Sequence, residues 1–223
     1  AMRFTFLRAA PLWASLTVVP PLHAAASLSV DDAGIAADGT CQLESWSRAH
    51  RRHQELTLVP ACTVAGTEWS LALGHLRGAG ASPWAVGAKR VLPDPFGPRA
   101  QLAVAADLGG DIRRGGARGW TIGLPLSIVL DAHGHALAHV TTGWTHTRST
   151  RAAMLGLGTE LRISPDWSVL AETWRDADRQ RGSQLGVRRQ LRNDVSIDLL
   201  AGRLQADASE RWLTLGVNLP LTH

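Results

Sequence analysis

The 223-residue chain predicts an all-β fold: an antiparallel transmembrane β-barrel of about ten strands. Three observations lead there. From Thr67 to Leu221 apolar residues alternate with small or polar ones at period two, the spacing of a strand with two unlike faces. The less apolar face is built from glycine, alanine and scattered acids and bases, which suits a narrow lumen where opposite charges can meet. Tryptophans gather near the ends of the alternating runs. A water-soluble barrel needs its bulky apolar side chains inside, whereas an apolar exterior around a polar interior belongs to a barrel in lipid. Because hydrocarbon offers no partner to backbone N–H and C=O groups, such a sheet must close on itself.

Composition sets the outer bounds. With 45% hydrophobic residues, 19% charged residues and 22 glycines, the chain is neither disordered nor collagen-like. Two cysteines, Cys41 and Cys62, are too few for a disulfide-dense scaffold or a four-thiolate zinc site. The formal charge of +4 includes Arg3 and Arg8; without them 21 of the 23 basic residues face 19 acidic ones. The high isoelectric point reflects arginine usage, and a nucleic-acid partner is not expected.

Arg3 and Arg8 bracket the start of an apolar stretch from Ala9 to Leu22, followed by Ala24-Ala25-Ala26. This reads as a secretory signal peptide over residues 1–26, cleaved after Ala24 or Ala26. The stretch is short for a membrane-spanning helix and contains Pro11, Pro20 and Pro21. Residues 27–66 are then expected to form a periplasmic N-terminal segment. Export to an oxidising compartment favours a Cys41–Cys62 disulfide, whose loop closure is worth roughly 3 kcal/mol. A metal site drawing on His50 and His53 fits no zinc spacing. Whether this segment plugs the lumen or rests on the rim is left open by its pattern.

The barrel is assigned to residues 67–221. Its first run sets Trp69, Leu71 and Leu73 against Glu68, Ser70, Ala72 and Gly74. The second, Ala85 to Leu92, holds the single lysine, Lys89. The third opposes Leu102, Val104, Ala106 and Leu108 to Gln101, Ala103, Ala105 and Asp107, and the fourth runs from Trp120 to Ile128. Pro125 within it supplies no ladder donor and predicts a local bulge. Six more runs follow, from about Ala136 to Thr145, Ala152 to Ile163, Trp167 to Trp174, Ser183 to Arg189, Asp194 to Gly202 and Arg211 to Leu221. Connections at the periplasmic end are expected to be short and those at the outer end longer. Trp69, Trp120, Trp144, Trp167 and Trp212 are assigned to two amphipathic belts at the membrane surfaces. Trp174 points inward by alternation.

The mature chain resembles the small outer-membrane β-barrels of Gram-negative bacteria, and more narrowly the uncharacterised proteobacterial members with an N-terminal cysteine pair. The residues carrying the likeness are Asp32-Ala33-Gly34, Cys41-Gln42-Leu43-Glu44-Ser45-Trp46, Pro60-Ala61-Cys62, Lys89, Gly143-Trp144, Gly156-Leu157-Gly158-Thr159-Glu160 and Gln184-Leu185-Gly186-Val187-Arg188. The resemblance implies a fold and an outer-membrane location, and it brings no established activity.

The inward charges Glu68, Lys89, Asp107, Glu160, Arg162, Glu172, Arg188 and Asp198 are the candidate functional set. Paired across the lumen they would fill it and fix register, and left unpaired they would form a charged constriction selecting solutes. Arg77, Arg113, Arg114, Arg118, Arg148, Arg151, Arg175, Arg179, Arg181, Arg203 and Arg211 cluster at the outer end. Guanidinium groups suit lipopolysaccharide phosphates there, so outer-membrane lipid is the expected partner. His133 and His135 read as turn residues, with no metal expected. His146 and Ser149 lack an orienting third group for hydrolysis. The expected function is a structural or narrow-conductance barrel without cofactor. A porin-like small-solute channel is the alternative, and a lipid-modifying enzyme stands further off.

Overall fold

The computed structural model describes residues 27–78, 80–93, 96–147, 150–176, 179–205 and 210–221. The leader expected over residues 1–26 lies outside the described residues. Twelve antiparallel strands make one closed barrel. In chain order they are β1 (Cys41–His50), β2 (Gln54–Val64), β3 (Thr67–Arg77), β4 (Pro83–Val91), β5 (Ala100–Asp111), β6 (Ala117–Val129), β7 (Ala136–Thr147), β8 (Arg151–Ser164), β9 (Trp167–Arg175), β10 (Arg181–Gln190), β11 (Ser196–Leu204) and β12 (Arg211–Leu221). Each pairs with its chain neighbour, and the seam closes where β12 meets β1, from Cys41↔Leu221 to His50↔Trp212.

The ten runs read from alternation are β3 to β12. The expectation of about ten strands is therefore corrected to twelve. The two added strands come from the segment placed in the periplasm, so the wall begins at Cys41 and not at Thr67. The physical reason lies in their faces. In β2, Leu56, Leu58, Pro60, Cys62 and Val64 alternate with Glu55, Thr57, Val59, Ala61 and Thr63. In β1 the outward set is Leu43, Ser45, Ser47 and Ala49, which is scarcely apolar. The disulfide joins directly opposed residues of this first hairpin, with Cα atoms 4.0 Å apart. The cysteine pair is part of the wall and not of a segment ahead of it.

Sidedness follows the alternation. Leu213 and Leu215 of β12 are 59% and 52% exposed on the outer surface, while Thr214 between them and Asp198 beside it are fully buried. Strands of nine to fourteen residues reach or exceed the roughly 9–11 residues a tilted strand needs to cross a bilayer.

Pro125 does not produce a bulge. Leu102↔Leu126 and Ala105↔Gly123 keep one register on either side of it, and only the pairs between them are missing from the β5–β6 ladder. The register shift falls instead at Gly109/Gly110, near the strand end. Loop lengths also differ from expectation. At the disulfide end the connections are 65–66, 92–99, 130–135, 165–166 and 191–195; at the arginine-rich end they are 51–53, 78–82, 112–116, 148–150, 176–180 and 205–210. The two sets are alike because strand pairing runs further toward the arginine end than apolar alternation does, as in β5, which continues to Asp111. In the 130–135 connection Asp131 accepts N–H groups from Ala136 (2.8 Å) and His133 (3.2 Å). The Ala136 bond above all holds its carboxyl below the ordinary carboxylate range.

Candidate functional site

Residues Ser27 to Ala36 form no helix or strand and run along the inside of the wall as a strap. A backbone without secondary structure inside a barrel must find wall partners, and the inward side chains provide them. The N–H groups of Ser29 and Val30 donate to the two oxygens of Glu172 on β9, at 2.7 and 3.0 Å. Ala33 donates to Ser127 Oγ on β6 (2.9 Å), and Ala36 to Glu68 on β3 (2.9 Å). The strap carbonyls are met in turn: Gln184 Nε2 on β10 donates to Ser27 O (3.0 Å), and Thr141 Oγ1 on β7 to Asp31 O (2.5 Å). Lys89 on β4 donates to Asp32 O (3.1 Å) and Gly34 O (3.2 Å) as well as to Asp31 Oδ1 (2.7 Å). Ser27 Oγ donates to the Asp198 carboxylate on β11.

Glycines make the room. A Cβ at Gly156 on β8 would stand 2.8 Å from Val30 Cγ2, and one at Gly216 on β12 would stand 2.7 Å from Ser27 Cβ. The small residues on the inner face thus accommodate the strap.

Most of the inward charges sit where alternation put them, though their partners differ. Arg188 on β10 lies opposite Asp198 and binds it in bidentate fashion, Nε to Oδ1 at 2.7 Å and Nη2 to Oδ2 at 2.9 Å, while Nη1 reaches Glu160 on β8 at 3.1 Å. Lys89 is opposite Glu68 in register, yet its ammonium goes to Asp31 of the strap. Glu172 is taken by the strap amides and by Gln184 Nε2 (2.8 Å). Arg162 stands exposed near the β8–β9 turn, outside the ion-paired cluster. Asp107 lines a lumen cavity.

Trp69, Trp120, Trp144 and Trp167 are outward and 40–56% exposed. Trp212 is not a belt residue: it is 5% exposed and donates its indole N–H to Gln184 Oε1 at 3.1 Å inside the lumen. It falls on the inner phase of β12, with Thr214 and Gly216, and occupies the space left by Gly202, whose added Cβ would meet the ring at 2.2 Å. Trp174 lies inward beside it, ring centroids 6.0 Å apart, and the Arg48 guanidinium stands 5.6 Å from the Trp212 ring. His146 stacks on exposed Trp120, centroids 5.5 Å apart, while Ser149 lies outside the described residues. His133 and His135 occupy the 130–135 connection. Sequence reading missed the strap's own Asp31, the Ser127 Oγ–His139 Nδ1 pair at 2.9 Å, and Glu44 and Trp46 of β1. Only the polar phase of β1, Gln42, Glu44, Trp46 and Arg48, could have signalled the last two.

Between strap and wall on the β1–β5 side is a cavity of about 310 Å³, lined among others by Asp31, Glu44, Trp46, Glu68, Lys89 and Asp107. A second, of about 340 Å³, opens toward the arginine end past Asp107, Asp111, Arg118, Thr121 and Thr145. Asp107 lines both.

A closed antiparallel barrel with an apolar exterior and a charged lumen places the chain in the architectural class of outer-membrane porins. Solved structures of that class superpose on it: the KdgM porin with a TM-score of 0.67 at 10% identity, covering 82% of this chain and 99% of that one. The NanC porin gives 0.59 at 10% identity over 81% and 100% of the two chains. An outer membrane channel from Pseudomonas putida F1 gives 0.58 at 11% identity over 85% and 98%. The likeness is one of fold. The chain belongs to the family described as Uncharacterised conserved protein UCP029691, whose model matches residues 13–221. No curated protein matches it.

Proposed function

We propose that this protein is a porin-like outer-membrane barrel of structural or narrow-conductance type, whose own N-terminal strap sets the aperture. The observation that carries the reading is the strap's hydrogen bonding to β3, β4, β6, β7, β9, β10 and β11, which holds it across the lumen. Polar inner walls can pass hydrated solutes, but with the strap in place the space is divided into the cavities beside it. The disulfide end is taken to face the periplasm and the arginine end the outer leaflet, where Arg113, Arg114 and Arg118 would meet lipopolysaccharide phosphates. A lipid-modifying enzyme is not proposed, since the His146 ring is committed to Trp120 on the outer surface.

Planar-bilayer recording tests this reading. Folded protein, verified by heat-modifiable gel mobility, should give small discrete currents, altered by Glu160→Ala. Removal of residues 27–38 from the mature chain should raise the unit conductance severalfold. A folded, strap-deleted barrel that remains electrically silent would refute conduction and leave a purely structural barrel.

A further inference from the structure

The two sides of the lumen differ in how their charges are met. On the β8–β11 side Glu160 and Asp198 share Arg188, and Glu172 receives two strap amides and Gln184. On the β1–β5 side four carboxylates, Asp31, Glu44, Glu68 and Asp107, line one cavity with a single ammonium, Lys89. Lys89 directs its ammonium at Asp31 and at two strap carbonyls, so an ammonium with three protons has none left for the others. Glu68 accepts from Ala36 and from Gln42 Nε2 (3.0 Å), both at Oε2.

Among the described residues, neither Glu44 nor Asp107 has a hydrogen-bond or ion-pair partner. Glu44 is buried deeply enough that its Oε1 is closed to water, yet no donor reaches that atom. Two positions along on the same inward face, the Trp46 indole N–H is likewise buried without an acceptor. A buried carboxylate without counter-ion or donor is costly, and so is an orphaned indole N–H. Both line the same cavity: the acids ask for a ligand that brings positive N–H donors, and the Trp46 ring offers its aromatic face to such a cation. Metal coordination does not supply it: among the described residues no group of His, Cys, Asp and Glu is close enough to hold an ion. The acids are spread from β1 to β5, which calls for positive charge at more than one point along a slender molecule.

We propose that this cavity binds linear organic polyamines, with one ammonium at Glu44, another at Asp107, and the methylene chain passing against the Trp46 ring. Ammonium groups supply charge-assisted donors to both acids, and the aromatic face attracts the cationic chain. The inference concerns the lumen of the proposed barrel but does not require that barrel to conduct, so binding and conduction fail separately.

Equilibrium dialysis of folded, detergent-purified protein against radiolabelled spermidine at low salt tests it. Saturable binding is expected, together with quenching of tryptophan fluorescence. Glu44→Gln and Asp107→Asn should each weaken the affinity about tenfold, the scale of one lost charge-assisted hydrogen bond. Asp166→Asn in the β8–β9 turn should leave it unchanged. Heat-modifiable mobility establishes that each variant is folded. Absence of saturable spermidine binding by folded wild-type protein, equal affinity in Glu44→Gln, or saturable binding of galacturonate in place of spermidine would each overturn the proposal. Retained spermidine binding by a barrel that passes no current would sustain it while refuting conduction.

Discussion

Arg188 shows how much can depend on one side chain in a lumen. It is 6% exposed and holds two acids, one of which, Asp198, is fully buried and also accepts from Ser27 of the strap. Removing the cation strands two carboxylates in a low-dielectric interior, where breaking a buried pair costs about 3–5 kcal/mol. Arg188→Met is therefore expected to lower the urea midpoint of barrel unfolding substantially, and Arg188→Met combined with Asp198→Leu should recover much of the loss. Lys89 offers a second reading at this scale, because it is the only lysine. With its ammonium engaged by the strap it should resist an amine-reactive acylating reagent in the folded protein, and Gly156→Leu, which drives a side chain into Val30, should expose it. Mass spectrometry of the Lys89 peptide reads the result; equal labelling in both proteins would contradict a seated strap. The charged residues of the inner wall were legible from alternation, their partners much less so. Lys89 was within reach of Glu68 by register but chose Asp31, because the strap brings one carboxylate and two carbonyls to the same point. Trp212 was misread for a simpler reason: its place at a strand end suggested a membrane belt, and the glycine opposite, Gly202, which gives the ring its inward room, is visible only once β11 and β12 are registered.

At the level of elements, β3 to β12 could be read because each follows the same rule: bulky outside, small or polar inside. The first hairpin obeys it less openly. β1 is nearly polar on both faces, and its neighbour β2 carries Pro60, where the ladder to β3 skips the pairs between Leu58↔Leu73 and Ala61↔Ser70. Such a pair of strands reads as a linker until the seam is seen to require it. The disulfide reinforces the same place, tying the first residue of the seam strand to its hairpin partner. Cys41→Ser with Cys62→Ser should lower unfolding stability by up to about 3 kcal/mol, the loop-closure contribution for this spacing, while leaving the barrel assembled, since the β1–β12 ladder still runs ten residues from Cys41 to His50. A shift in the midpoint of heat-modifiable mobility without loss of the compact band is the expected result. Loss of the band altogether would show that the bridge is needed for closure itself.

Across the whole molecule the described lumen carries more acids than bases. Asp31, Glu44, Glu68 and Asp107 line one side and Glu160, Glu172 and Asp198 the other, against Lys89 and Arg188. An excess of one sign in a confined, low-dielectric passage raises the local concentration of the opposite ion. If the barrel conducts, it should therefore prefer potassium to chloride. The preference should also depend on salt in a particular way, since the fixed acids act through ranges set by the Debye length, about 10 Å at 0.1 M and 3 Å at 1 M. A reversal-potential measurement in a salt gradient centred near 0.1 M should show clear cation selectivity, and the same gradient ratio near 1 M should bring it toward unity. Glu44→Gln with Asp107→Asn should reduce the low-salt selectivity more than the high-salt value, because among the described residues those two acids are in no ion pair. Selectivity independent of salt would place discrimination in pore size and not in charge, and selectivity for chloride would mean that the arginines of the opposite rim govern permeation.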